Sequence, residues 1–293
     1  MLAEQVHTEL IRRLLPPRRQ DTHKGHYGRA MLICGALGYS GAAFFSAESA
    51  VRSGAGLVDL TVPAAIFQTV AVKLNEAMVY PLPDTPDGMF DDGAIPILLK
   101  RMECADAILI GCGLGRSEPV SRLVQSVVTH AKVPVVVDAD GINALAAHKN
   151  ILRDVHTHLI LTPHDGELTR FLGEAPVRPG ESRTDAAARL ATTLGVTLVM
   201  KGHETVTADA SGKTRINTTG NAGMAKGGSG DVLAGMITAL AAQGLCPFDA
   251  ASAAVYLHGL AGDLAQRSSG EIGMTPTDML RLIPQAFYQC RGV

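Results

Sequence analysis

The chain has 293 residues, with 26 Lys and Arg against 28 Asp and Glu and a formal net charge of −2. That balance excludes the basic footprint of a nucleic-acid binder, so any phosphate must be held by local amides rather than by a charged surface. Hydrophobic residues make up 46% and charged residues 18%, enough for one large core, and no apolar run reaches the length of a membrane helix. Cys34, Cys104, Cys112, Cys246 and Cys290 form an odd set without a CxxC pair. Three of them lie in apolar or Gly-rich runs that suit small buried thiols, and a reducing, cytoplasmic setting is expected. The N-terminus lacks the apolar segment of a signal peptide, and Glu4 and Glu9 argue against a transit peptide.

In chain order, Leu2, Val6, Leu10 and Leu14 sit at helical spacing and predict one short amphipathic helix over residues 1–15. Pro16-Pro17 ends it, with Arg18-Arg19 as a solvated turn. Apolar runs at Arg29–Gly35, Leu57–Val62, Ala107–Gly111, Val133–Val137, His158–Thr162 and Thr197–Lys201 read as strands. Helices are predicted at Gly41–Ser53, stopped by Gly54, and at Val120–His130. Thr205–Ala208 and Lys213–Asn217 flank Ser211-Gly212 as a hairpin, and the Pro-, Asp- and Gly-rich stretch Pro81–Gly93 is expected to be a mobile surface loop. Near-continuous apolar strands separated by helices predict an α/β fold with a mostly parallel sheet covered on both faces. No composition break marks a second domain; residues 1–23 read as a leading tail and 24–293 as one domain.

The strongest motif runs from Thr218 to Asp231 through Gly220, Gly223, Gly227, Gly228, Ser229 and Gly230. Val232, Leu233, Met236, Ile237 and Leu240 then follow at helix spacing. A Gly-rich loop feeding a helix N-terminus presents unpaired amides and the positive end of the helix dipole, which makes an anion hole of Gly227, Gly228, Ser229 and Gly230. Asp231, in the first turn, can cap the helix or take a proton from a substrate hydroxyl beside the phosphate, and the two roles are compatible. Gly212-Lys213-Thr214 imitates a P-loop tail, but Thr207 stands where the first glycine is required. Gly35 to Gly41 has the wrong spacing for a Rossmann fingerprint, and no histidine pair has metal-ligand spacing. Ser229 lacks the setting of a nucleophile elbow.

Gly228-Ser229-Gly230-Asp231 resembles the anion-hole and base motif of ribokinase-like enzymes. Further segments resemble the NAD(P)H-hydrate dehydratase family within that superfamily: Lys24 to Gly28, Gly41 to Ala43, Val137 to Leu145, Leu161 to Glu167, and Lys201 to Thr205. The resemblance runs in order from about residue 24 to 290. Asp165 and Cys112 depart from it, each standing where proline is usual in the family.

The resemblance implies a three-layer α/β/α ribokinase-like fold without a separate lid domain, and it implies roles. Ala42, Gly113 and His164 contact hydrated NADH or NADPH. Lys201, Gly202, His203, Glu204 and Thr205, with Gly230, hold ADP or ATP as phosphoryl donor. Asp231 meets the substrate hydroxyl. Mg²⁺ is the expected cofactor, with no side chain assigned as its direct ligand. A homotetramer and a separately encoded epimerase partner are also implied, and neither nucleic acid nor membrane is an expected partner.

Asp138, at the end of a buried strand, either orients Mg²⁺-bound water or caps the helix near Gly141, the cap being preferred, and Asn143 supports the same loop. A carboxylate of ordinary pKa, about 4, suffices for Asp231, because a loose phosphoryl-transfer transition state needs little early deprotonation. Two rival readings are a small-molecule kinase of the hydroxyethylthiazole-kinase type and a non-catalytic adenine-nucleotide sensor. The kinases usually carry Cys where Asp231 stands, and the sensor has no need of that acid.

Overall fold

The computed structural model describes residues 3–15, 17–18 and 20–291. Its ten strands are β1 (Glu4–Gln5), β2 (Arg29–Ile33), β3 (Leu57–Pro63), β4 (Met78–Leu82), β5 (Ala107–Ile110), β6 (Val135–Val137), β7 (Leu159–Leu161), β8 (Thr197–Met200), β9 (Val206–Ala208) and β10 (Thr214–Ile216). They form one sheet in the order β1-β10-β9-β8-β7-β6-β5-β2-β3-β4. From β8 to β4 every pairing is parallel; β9 is antiparallel to both neighbours, and β1 is parallel to β10.

The helices are α1 (Thr8–Leu14), α2 (Ser40–Arg52), α3 (Phe67–Ala71), α4 (Ala94–Met102), α5 (Glu118–His130), α6 (Asp140–Ala146), α7 (Asp165–Leu172), α8 (Arg183–Leu194), α9 (Ser229–Ala242), α10 (Pro247–Ser269) and α11 (Pro276–Arg291). Strand alternation divides the core into two layers. Leu32, Leu60, Leu109, Val136 and Ile160 face α1, α2, α9, α10 and α11. Ile33, Ile108, Ile110, Val137 and Leu161 face α4 to α8. Burial on both faces is why the central strands read as unbroken Val, Ile and Leu. Ser117 and Ser182 cap α5 and α8, and Gly173 and Gly195 close α7 and α8 in the left-handed conformation.

Two sequence expectations are corrected. Residues 1–15 are not one helix: Glu4–Gln5 extends along β10, and α1 begins only at Thr8, after the His7 side chain caps it. Period alone could not reveal the partner strand that holds residues 4–5 extended. Of the positions that suggested the helix, Leu2 lies outside the described residues, as do Pro16 and Arg19 of the following turn. The stretch 81–93 is tethered rather than loose: Leu82 ends β4, Asp84 bridges to Phe90, and the Phe90 ring is fully buried in the α4–α8 layer. The Ala-rich segments of α8 and α10 pack inside the chain, with Ala186, Ala187, Ala191, Ala250, Ala251, Ala253 and Ala254 all buried.

Candidate active site

The carboxyl ends of β8, β7, β6, β5 and β2 lie side by side in the sheet. Successive strands depart in opposite directions from the β5–β2 boundary, and such a switch point opens a crevice where ligands bind. The loops after β2 and β5 meet there, Gly35 N–H donating to Cys112 O at 2.8 Å. Gly113, with φ of 63°, lies so close to α2 that a Cβ on it would approach Ala42 Cβ to 2.8 Å. Ala42 and Gly113, distant in sequence, are therefore adjacent walls of one crevice.

Beside them, Asp138 follows β6 and Lys201 follows β8. Lys201 Nζ lies 2.8 Å from Asp138 Oδ1 and 3.8 Å from Glu167 Oε2. Burial disfavours the Lys201 charge, but the Asp138 and Glu167 carboxylates outweigh it and hold the ammonium above its ordinary pKa. Asp138 does not cap α6, whose N-cap is Ala139 with no side-chain bond. Its preferred sequence role is thus replaced by an ion pair, because the lysine was 63 residues away in sequence. Ala139 has φ of 48° and ψ of −115°, a conformation costing a residue with a Cβ about 1–3 kcal/mol. That turn aims Asp138 at Lys201 and Asp140 the other way, where it accepts from Gly115 N–H and Asn143 Nδ2.

His164 lies in the turn after β7, its backbone bridged to Lys201. It is the N-cap of α7: Nδ1 accepts from Gly166 and Glu167 N–H, and the Glu167 carboxylate accepts from His164 N–H at 2.9 Å. This reciprocal capping box leaves the imidazole half exposed at the crevice rim. The turn from Lys201 to Thr205 is closed by Thr205 Oγ1, which donates to Gly202 O and accepts from Gly202 N–H. His203 and Glu204 are exposed at its tip, with Glu204 at φ of 55°.

The Gly-rich loop arrives from the other side. Lys226 Nζ donates to the Ile272 and Met274 carbonyls, and Asp263 accepts from Gly220 N–H and Asn221 Nδ2, so both ends are tied down. Gly228, with φ of 100°, packs against Phe45, where a Cβ would come within 2.7 Å of the ring. The α9 N-terminus begins at Ser229 with no side-chain cap; Ser229 N–H donates to Lys226 O at 3.2 Å, while the Gly227, Gly228 and Gly230 amides remain available among the described residues. A Cβ at Gly230 would sit 3.4 Å from Lys201 Nζ, and Gly227 faces open space. His258 Nε2 lies 2.9 Å from Ser229 O, to which it donates, and burial pushes its pKa down to about 4, keeping it neutral.

Asp231 projects from the first turn of α9 toward Cys112 and Asp138, the ligating atoms of the three lying within 4.8 Å of one another. Burial, then the neighbouring Asp138 charge, pushes its pKa up to about 7, against the lowering effects of the Cys112 thiol and Lys201. The expected ordinary pKa is corrected accordingly. The Cys112 thiol is itself held protonated, foremost by its contact with Cys34 and then by burial and the nearby acids. The structure thus gathers Ala42, Gly113, His164, Lys201, Gly230 and Asp231 at one crevice. Proximity in space reveals Cys112 and Asp138 as neighbours of the base, and Glu167 as a second carboxylate on Lys201.

The model of a family described as NAD(P)H-hydrate dehydratase matches residues 30–285. Among curated relatives, the bifunctional NAD(P)H-hydrate repair enzyme Nnr of Moorella thermoacetica is 43% identical over 92% of this chain and 51% of its own length. The chain thus spans about half the length of that relative. The ADP-dependent (S)-NAD(P)H-hydrate dehydratase of Neisseria meningitidis is 37% identical over 86% of this chain and 82% of its own. A crystal structure of the ADP/ATP-dependent NAD(P)H-hydrate dehydratase of Bacillus subtilis, co-crystallised with ATP and Mg²⁺, superposes with a TM-score of 0.83 at 32% identity, covering 99% of both chains. The predicted ribokinase-like architecture is borne out by this likeness and by a ribokinase-like protein of Enterococcus faecalis, with a TM-score of 0.84 at 27% identity over 98% of this chain and 96% of that one.

Proposed function

Because the chain belongs to the NAD(P)H-hydrate dehydratase family, we propose that it uses ADP or ATP to dehydrate the S-epimer of hydrated NADH and NADPH, a metabolite-repair reaction. The observation that carries this reading is one juxtaposition: a half-buried carboxylate, Asp231, beside the unpaired Gly230 amide at the α9 N-terminus and the Lys201 ammonium. The reading takes residues 24–293 as a single catalytic unit preceded by residues 1–23.

In this mechanism the terminal phosphate of the nucleotide rests on the Gly227, Gly228 and Gly230 amides, and Lys201 to Thr205 hold the rest of the nucleotide. Ala42, Gly113 and His164 line the pocket for the hydrated nicotinamide. Asp231 accepts the hydroxyl proton as that oxygen attacks phosphorus and the bond to the nucleotide leaving group breaks. The ring nitrogen lone pair then expels phosphate, and the adjacent carbon loses a proton, restoring the dihydropyridine. Phosphorylation converts hydroxide, a poor leaving group, into a good one. A base with a pKa near neutrality combines a usable ionised fraction with proton affinity.

The donor set fits Mg²⁺, which is usually held by one or two carboxylates together with phosphates and water. Asp138 Oδ2, the oxygen not engaged by Lys201, would hold it or its water shell, whereas the protonated Cys112 thiol is too soft a ligand. Once bound, the ion would neutralise charge on the transferring phosphoryl group. The reading also includes a homotetramer, a separate epimerase partner and a cytoplasmic setting, the last supported by five free thiols.

The test is incubation with hydrated NADH, Mg²⁺ and each nucleotide while following the return of NADH absorbance. Asp231→Asn is expected to retain nucleotide binding and to lose about 10²–10⁴-fold in turnover. Turnover like that of the wild type would remove Asp231 from the mechanism, and a stable phosphorylated product would favour kinase chemistry instead.

A further inference from the structure

At the opposite pole of the sheet, where β2 and β3 begin, lies a cavity of about 570 Å³, within the range of sites for drug-sized ligands. Among the described residues its lining includes Arg18, Arg52 and Arg291 and no acidic residue, although the chain as a whole is slightly acidic. Arg18 is held over the Tyr27 ring at 3.9 Å and donates to Gly54 O. A Cβ at Gly54 would come within 2.6 Å of that guanidinium. Arg52 has its Nε on Glu48, outside the lining, and Arg291 makes no ion pair among the described residues. With Arg52 paired to Glu48, the guanidinium groups of Arg18 and Arg291 are left in the lining without a carboxylate partner among the described residues, and such groups bind phosphate.

The remaining walls are aromatic and aliphatic, with Tyr27, Phe287 and Tyr288 supplying rings. Tyr288 is among the exposed large hydrophobic side chains of the molecule. Ser53 also lies in the wall, but its Oγ is closed off from the void.

We propose that this cavity is a second, non-catalytic site for a nucleotide-sized anion that carries an aromatic ring and phosphate. The guanidinium groups of Arg18 and Arg291 would take the phosphate, and the Phe287 and Tyr288 rings would stack on the base. The site is separate from the crevice at the carboxyl ends of the strands and shares no lining residue with it.

The test is calorimetric titration of the full chain with ADP. Two classes of site are expected in the wild type. Arg18→Glu combined with Arg291→Glu should weaken one class at least about 30-fold, whereas Lys201→Met should weaken only the other. Inorganic pyrophosphate, which lacks a ring, should bind the polar site at least about 10-fold more weakly than ADP. A single class of ADP site, or a second class indifferent to these pole substitutions, would overturn the proposal. Equal binding of pyrophosphate and ADP would overturn the ring-bearing ligand.

Discussion

Asp231 has its ionised form penalised by burial and by Asp138 before any substrate arrives. Its pKa in the folded chain, about 7, lies above the ordinary value of 3.8, so between those values the native state binds the extra proton. Stability therefore falls as pH rises across that window and levels off above pH 7. Asp231→Asn, which mimics the protonated acid, should match the wild type near pH 4 and exceed it above pH 7 by up to about 4 kcal/mol. Denaturant unfolding of the metal- and nucleotide-free protein checks this, and a pH-independent difference would contradict the buried-acid account. Lys201→Met should act oppositely: it leaves Asp138 and Glu167 without their cation, with an expected loss of about 3 kcal/mol at neutral pH, read from the same curves. The motif made Asp231 legible because a glycine-rich run opening an apolar helix is a local pattern. Its pKa was not legible, since the charges that set it come from the ends of other strands.

At the scale of elements, α2 and α9 carry the two halves of the site on their first turns, Ala42 on one and Gly230-Asp231 on the other. Their relative position depends on Gly235, where a Cβ would lie 2.1 Å from both Ser46 O and Ser49 Oγ. Gly235→Ala should destabilise by about 2 kcal/mol despite the better helix propensity of alanine, which is worth roughly 1 kcal/mol. A lower urea midpoint together with a raised KM for the hydrated substrate is the expected result; a stabilised, fully active variant would refute this close packing. Helices such as α5 were readable from period and caps because their signals are contained within one segment. Residues 4–5 were not, because a two-residue strand takes its identity from β10. Phe90 likewise looked like part of a loose loop until the α4–α8 layer supplied its pocket.

Across the whole molecule, Arg215 ties three distant parts together. Its buried guanidinium bonds Glu4 Oε2 at 2.8 Å and Asp249 Oδ1 at 2.6 Å, joining β1, β10 and the start of α10. Arg215→Met should cost about 1–3 kcal/mol and release β1 first. Hydrogen exchange should then report lost protection at Val6 N–H, which bonds Ile216 O. Unchanged exchange at Val6 would show that apolar contacts alone hold the edge strand.

By itself, the sequence determined the alternation of buried strands and helices, the anion-hole loop and the acid that follows it. Each of these is written in a contiguous stretch as apolar period, glycine placement or cap. Tertiary structure alone decided which strand ends meet, and with them the Lys201–Asp138 pair, the contact of Ala42 with Gly113 and the setting of Asp231 among Cys112, Asp138 and Lys201. Electrostatic energy depends on distance and burial in space, and neither quantity exists until the sheet has ordered its strands.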